Sequence, residues 1–153
     1  MRIGIIGSGS MGASLGRVWA ACGHEVLFSY SRDPAKLDRL AHAAGGSARS
    51  GTPAQAAQFG DAVLLAVGWE QLDDAISQAG EFHSEVVISC ITPLLPDFSG
   101  LAVGFTTSAA ERVAELVHGI PVVEAFNSVF AGLIDPAART FDERRPSVFY
   151  CVR

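Results

Sequence analysis

An apolar run from Ile3 to Ile6 leads directly into Gly7-Ser8-Gly9-Ser10-Met11-Gly12, and a helix-like segment follows that closes at Gly23. Glycines at this spacing, between a strand and a helix, each remove a different steric obstacle. Gly7 permits the tight turn out of the strand. Gly9 removes a side chain that would hold the backbone away from a pyrophosphate, and Gly12 lets the helix lie close to the sheet. The unpaired N–H groups of the first helical turn then face the phosphates. The opening of the chain therefore predicts a crevice for a dinucleotide.

The remainder repeats the alternation of strand and helix. Glu25 to Tyr30 reads as a second strand, and Asp33-Pro34 as an N-cap with proline in the first helical turn, opening a helix that stops at Gly45-Gly46. Thr52-Pro53 starts a short helix ending near Gly60. Ala62 to Val67, Glu85 to Cys90 and Pro121 to Ala125 supply the third, fourth and fifth strands, and Ser147 to Val152 the sixth. Helices are expected from about Glu70 to Ala79 and after the capping box Ser108/Glu111, with Thr92 to Gly104 mostly loop. The pattern predicts an α/β fold: a doubly wound parallel sheet of six strands, the Rossmann architecture, in one domain spanning residues 1–153.

Composition narrows the function classes. A net charge of −5 leaves no basic stripe for a nucleic-acid partner, whereas one bound nucleotide needs only a local cluster. No apolar run approaches the length of a membrane span and no processed signal is evident, so a cytoplasmic location is the expectation. Cys22, Cys90 and Cys151 are widely separated and read as buried thiols. The four histidines are scattered, which argues against a zinc site.

In such a sheet the second strand ends beside the adenosine ribose. Ser29, Tyr30, Ser31 and Arg32 hold that position, and hydroxyls next to a guanidinium suit a 2'-phosphate, favouring NADP(H) over NAD(H). Asp33 is a candidate ribose acid, though Pro34 beside it makes a helix cap the better reading. Lys36 and Arg39 either add positive charge or lie on a solvated helix face. The reacting end of the cofactor belongs over the ends of the central strands, at Ala66-Val67-Gly68-Trp69, Ile91-Thr92-Pro93-Leu94 and Ala125-Phe126-Asn127-Ser128. Trp69 lines that cleft or covers the following helix; Asn127 bonds the nicotinamide carboxamide or forms a turn. No nucleophile, base and orienting acid are grouped, as suits hydride transfer between two bound rings, which asks for positioning rather than a protein acid or base.

In order, Ile5-Ile6-Gly7-Ser8-Gly9-Ser10-Met11-Gly12, Gly23-His24-Glu25-Val26, Ser31-Arg32-Asp33-Pro34, Leu64-Leu65-Ala66-Val67-Gly68-Trp69, Thr92-Pro93-Leu94, Ser108-Ala109-Ala110-Glu111 and Glu124-Ala125-Phe126-Asn127-Ser128 resemble the NADPH-dependent reductases of the deazaflavin coenzyme F420. The resemblance implies a Rossmann domain in which Ser8, Ser10 and Met11 hold the pyrophosphate and Ser31 and Arg32 the 2'-phosphate. It also implies a homodimer, with the deazaflavin lying over the nicotinamide. Ser10, Gly68 and Glu124 depart from the family's frequent asparagine, proline and lysine. Family members usually continue past Phe149-Tyr150 into a helical segment that this sequence is expected to lack. Two alternatives stay open: an NADPH-binding or sensing protein without turnover, and a reductase of a small imine or 3-hydroxy acid.

Overall fold

The computed structural model describes residues 1–135 and 147–152. Its seven-stranded sheet has the order β3-β2-β1-β4-β5-β6-β7. The strands are β1 (Arg2–Ile6), β2 (Glu25–Ser29), β3 (Arg49–Ser50), β4 (Ala62–Leu65), β5 (Val86–Ser89), β6 (Val122–Ala125) and β7 (Tyr150–Val152). The helices are α1 (Ser10–Ala21), α2 (Pro34–Ala44), α3 (Pro53–Phe59), α4 (Leu72–Ala79) and α5 (Ala109–Leu116). Chain order reverses between β1 and β4, so a crevice opens above their C-terminal ends.

Alternation along the strands divides the core in two. Ile5, Phe28 and Leu64 face α1 and α2, while Ile6, Leu27 and Leu65 face the side covered by α3, α4 and α5. The paired residues Ile5↔Phe28 and Ile5↔Leu64 show the parallel register that brings each set together. Local capping starts the helices where the sequence predicts. The Asp33 side chain accepts from the Ala35 N–H at the head of α2, and Thr52/Gln55 and Ser108/Glu111 form reciprocal capping boxes on α3 and α5.

Three expectations need correction. The strand count is seven rather than six, because Arg49–Ser50 adds a two-residue edge strand too short to show a period. The last strand pairs antiparallel with β6 and begins at Tyr150, not Ser147; three residues carry no information about direction, which comes only from the partner. The cysteines are not all buried thiols. Cys22 and Cys151 are exposed, one in the turn that ends α1 and the other on the edge strand, and only Cys90 is partly covered. Along α1, Leu15 is buried and Met11, Val18 and Trp19 pack half-buried against the same cluster, while Gly12, Ala13 and Gly16 bring the helix close to the sheet. A short 3-10 turn at Ala131–Leu133, absent from the expectations, buries the following Ile134 against the α1 side.

One buried group is out of place energetically. Glu124 on β6 is paired in register with Ser89 and Cys151, and both of its carboxylate oxygens are buried without a hydrogen bond to any described residue. Burial pushes its pKa up to about 7, the nearby Ser89 hydroxyl pulling weakly the other way. Burial, and secondarily Glu124 itself, pushes the Cys90 thiol up to about 12. A carboxyl with a raised native pKa holds its proton more tightly in the folded state than in the unfolded one. Stability from this group is therefore full below the unfolded value and declines as pH rises through the interval up to about 7. Thermal melts of the wild type and Glu124→Gln between about pH 5 and about pH 8 are expected to diverge, the wild type losing more as pH rises. Parallel curves would contradict the placement of this carboxyl.

Candidate functional site

A cleft of about 1030 Å³ opens at the C-terminal ends of β1, β2 and β4. Gly7, Ser8 and Gly9 form its floor, with Ala66, Val67 and Gly68 on the β4 side. Ser31, Arg32 and Lys36 form the wall beyond β2. Gly7 has φ +124°, and a Cβ there would overlap the Ala66 carbonyl. A Cβ on Gly12 would overlap the Gly7 carbonyl, so α1 can start beside the turn only because that carbon is missing. A Cβ on Gly9, in contrast, would meet nothing within 4 Å. Of the three, Gly9 is the one whose missing side chain leaves space rather than permitting internal contact.

The charges on the far wall are sorted by hydrogen bonding. Asp33 is committed to α2: its side chain caps Ala35 and pairs with Arg39 at 2.9 Å. Chiefly through its hydrogen bond, the Arg39 guanidinium holds the Asp33 carboxyl below the usual range. Asp38 accepts from the Ser50 hydroxyl. Among the described residues, Arg32 and Lys36 make no ion pair, and both line the cleft. The Ser31 hydroxyl accepts from the Asp33 N–H at 3.1 Å, which leaves its proton available to donate. Ser29 is different: fully buried, it donates to the Ile5 carbonyl at 2.8 Å and does not face the cleft.

Not every sequence-predicted residue reaches these walls. Ser10 and Met11 open α1, exposed and half-buried respectively, and Gly12 is buried beneath the turn. Ala125 is buried at the end of β6, and Asn127 lies exposed just beyond it. Trp69 packs against the core on the α4 side and borders a smaller recess of about 310 Å³ with Leu94, Pro96 and Arg112.

Sequence reasoning missed the wall contributed by α4 and the residue leading into it. Gln71, Asp74 and Gln78 line the cleft at helical spacing, a polar stripe that the heptad-like separation in the sequence already contained. Tyr30 reaches them from the end of β2: its hydroxyl donates to Asp74 Oδ2 at 2.6 Å, and Gln78 Nε2 donates to the same oxygen at 2.9 Å. Burial, with the Asp74 hydrogen bond second, pushes the Tyr30 phenol up to about 12, so it stays a donor at any ordinary pH. The Ser8 hydroxyl donates to the Tyr30 carbonyl at 3.2 Å and so ties the glycine turn to the same residue.

Known proteins share the family signature and the fold of this chain. A family model described as "NADP oxidoreductase coenzyme F420-dependent" matches residues 2–93. A candidate F420-dependent NADP-reductase from Arthrobacter sp. FB24 superposes with a TM-score of 0.83 at 19% identity, over 99% of this chain and 73% of that one. A hypothetical protein from Sinorhizobium meliloti gives 0.74 at 29% identity, over 88% and 64%. A pyrroline carboxylate reductase from Plasmodium falciparum, solved with NADP bound, gives 0.53 at 15% identity, over 82% of this chain and 41% of that chain. This chain thus spans part of each of these proteins, and the low-identity matches are matches of fold.

The contrast between the glycines is measurable without any ligand. Gly12→Val is expected to lower stability by roughly 3 kcal/mol or more, the upper end of overpacking costs, because a backbone carbonyl rather than a flexible side chain stands in the way. Gly9→Val is expected to cost only about 1 kcal/mol, from the poorer N-cap. Chemical denaturation of both variants checks the difference, and equal losses would contradict it.

Proposed function

The chain belongs to the family of coenzyme F420-dependent NADP oxidoreductases, and from that membership we propose that it transfers hydride between NADP(H) and F420 or a related flavin-like acceptor. The observation that carries this reading is a single one: the cleft joins a side-chain-free glycine turn to Arg32 and Lys36, two cations without an ion pair among the described residues. A turn of that shape suits a pyrophosphate, and an uncommitted guanidinium beside a serine hydroxyl suits a 2'-phosphate. The residues present therefore fit NADP(H).

When bound, the nicotinamide supplies or receives the hydride. The tasks left to the chain are binding and orientation. Gly7, Ser8 and Gly9, with the head of α1 at Ser10, Met11 and Gly12, hold the diphosphate; Ser31, Arg32 and Lys36 hold the 2'-phosphate. Ala66, Val67 and Gly68 carry the dinucleotide across the end of β4 toward the nicotinamide. Ala125 and Asn127 lie at the end of β6, where the exposed Asn127 amide is placed to meet the carboxamide or the acceptor. We place the acceptor over the segments that follow β5 and β6. The working assembly in this reading is a homodimer, supported by the exposed Phe149, Tyr150 and Val152 at the sheet's edge; a monomeric mass in sedimentation would overturn that part.

The test is a titration with NADPH and NADH, followed by mixing with F420. NADPH is expected to bind more tightly than NADH, and Arg32→Ala to lose about 1–3 kcal/mol of that preference, the contribution of a charge-assisted contact, with NADH binding little changed. Consumption of NADPH matched by reduction of F420 supports the transfer. Bound NADPH with both absorbances unchanged would overturn it in favour of a binding protein without turnover.

A further inference from the structure

We propose that Tyr30 is the platform on which the adenine of the dinucleotide stacks, and that Asp74 and Gln78 are positioning residues that hold its ring in place. This rests on the nucleotide reading of the cleft and adds to it the residue that reads the base.

The backbone at Tyr30 is the first observation. Its φ is +62°, a left-handed conformation uncommon for a bulky side chain. Phe98, His118 and Phe126 share it, but of these four residues only Tyr30 lines the cleft. Glycine would fill such a turn without strain, so a large aromatic there is held against a local preference.

The tether is the second. The hydroxyl bonds Asp74 Oδ2 at 2.6 Å, and Gln78 anchors that same oxygen from one turn further along α4. The Tyr30 and Gln78 hydrogen bonds, in that order, keep the Asp74 carboxyl below the usual range and therefore charged. Tyr30 is partly buried against the apolar cluster beneath α3 and α4, and it is also one of the residues lining the cleft. Tethered at one end and packed along one side, the ring has little rotational freedom left to lose when a ligand arrives.

Position supplies the third. Tyr30 is adjacent to Ser31 and Arg32, the residues assigned to the 2'-phosphate, and its carbonyl accepts from Ser8 in the phosphate turn. Tyr30, Asp74 and Gln78 line the same cleft as Ser31 and Arg32, so we set the base attached to that ribose against the wall they form. An aromatic face is suited to a purine whatever the base's hydrogen-bonding edge, because stacking needs only the π-surface.

The experiment compares wild type, Tyr30→Gly and Tyr30→Phe for binding of NADPH, 2',5'-ADP and reduced nicotinamide mononucleotide, which lacks the adenosine half. Glycine suits the left-handed backbone, so the fold is expected to survive, and a thermal melt checks it. Tyr30→Gly is expected to weaken NADPH and 2',5'-ADP by roughly tenfold to a hundredfold, the range for losing one base–aromatic stack. The mononucleotide is expected to bind all three proteins alike, and Tyr30→Phe, which keeps the ring but loses its bond to Asp74, to bind NADPH and 2',5'-ADP with an affinity between the other two; binding by Tyr30→Phe equal to the wild type would overturn the positioning role of Asp74 and Gln78. Unchanged or tighter binding of 2',5'-ADP by Tyr30→Gly would overturn the proposal while leaving the nucleotide reading intact. Equal weakening of the mononucleotide would also overturn it, by assigning Tyr30 a general structural role. Failure of the wild type to bind NADPH would overturn both.

Discussion

Helix α1 can begin beside the end of β1 because two carbons are missing. A side chain at position 7 would strike the Ala66 carbonyl, and one at position 12 would strike the carbonyl of Gly7. The turn, the helix and the neighbouring strand are thus in backbone contact, with nothing flexible between them to absorb a change. That contact aims the head of α1 across the C-terminal end of the sheet. It also sets Gly9 at the rim with open space in front of it, so the packing of three elements and the shape of the crevice have one cause.

Around that rigid centre the polar groups divide into committed and uncommitted ones. Asp33 and Arg39 satisfy each other on α2, Asp38 bonds Ser50, and Ser29 is internal to the sheet. What these pairings leave on the wall is positive: Arg32 and Lys36 face the crevice without an ion pair among the described residues. A protein of net charge −5 can present a local cationic site in this way, because its nearby carboxylates are already engaged. Across the sheet at β6, Glu124 is the opposite case, a buried carboxyl with no hydrogen-bond partner among the described residues, which favours its protonated form.

The family match covers residues 2–93, whereas the likeness of fold extends over most of the chain. The turn after β1, the segment after β2 with the head of α2, and the segment after β4 line the cleft, and α4 adds Asp74 and Gln78. Beyond residue 93 the described chain completes the sheet with β6 and β7 and covers one face with α5, while the matched portion contains every residue lining the larger cleft.

The glycine turn, the caps at Asp33, Thr52 and Ser108, and the alternation of strands with helices were all legible from the sequence, because each is governed by residues within one or two turns of chain. The role of Asp33 as the cap of α2 was legible for the same reason, since Pro34 marks the cap locally. The direction of β7, the existence of β3 and the exposure of Cys22 and Cys151 depend on which distant segment lies alongside, and short segments do not encode that. The bond from Tyr30 to Asp74 spans 44 positions of sequence. Only the folded sheet, by carrying β2 past the end of β1 and turning α4 back over it, brings the phenol and the carboxylate within reach of each other.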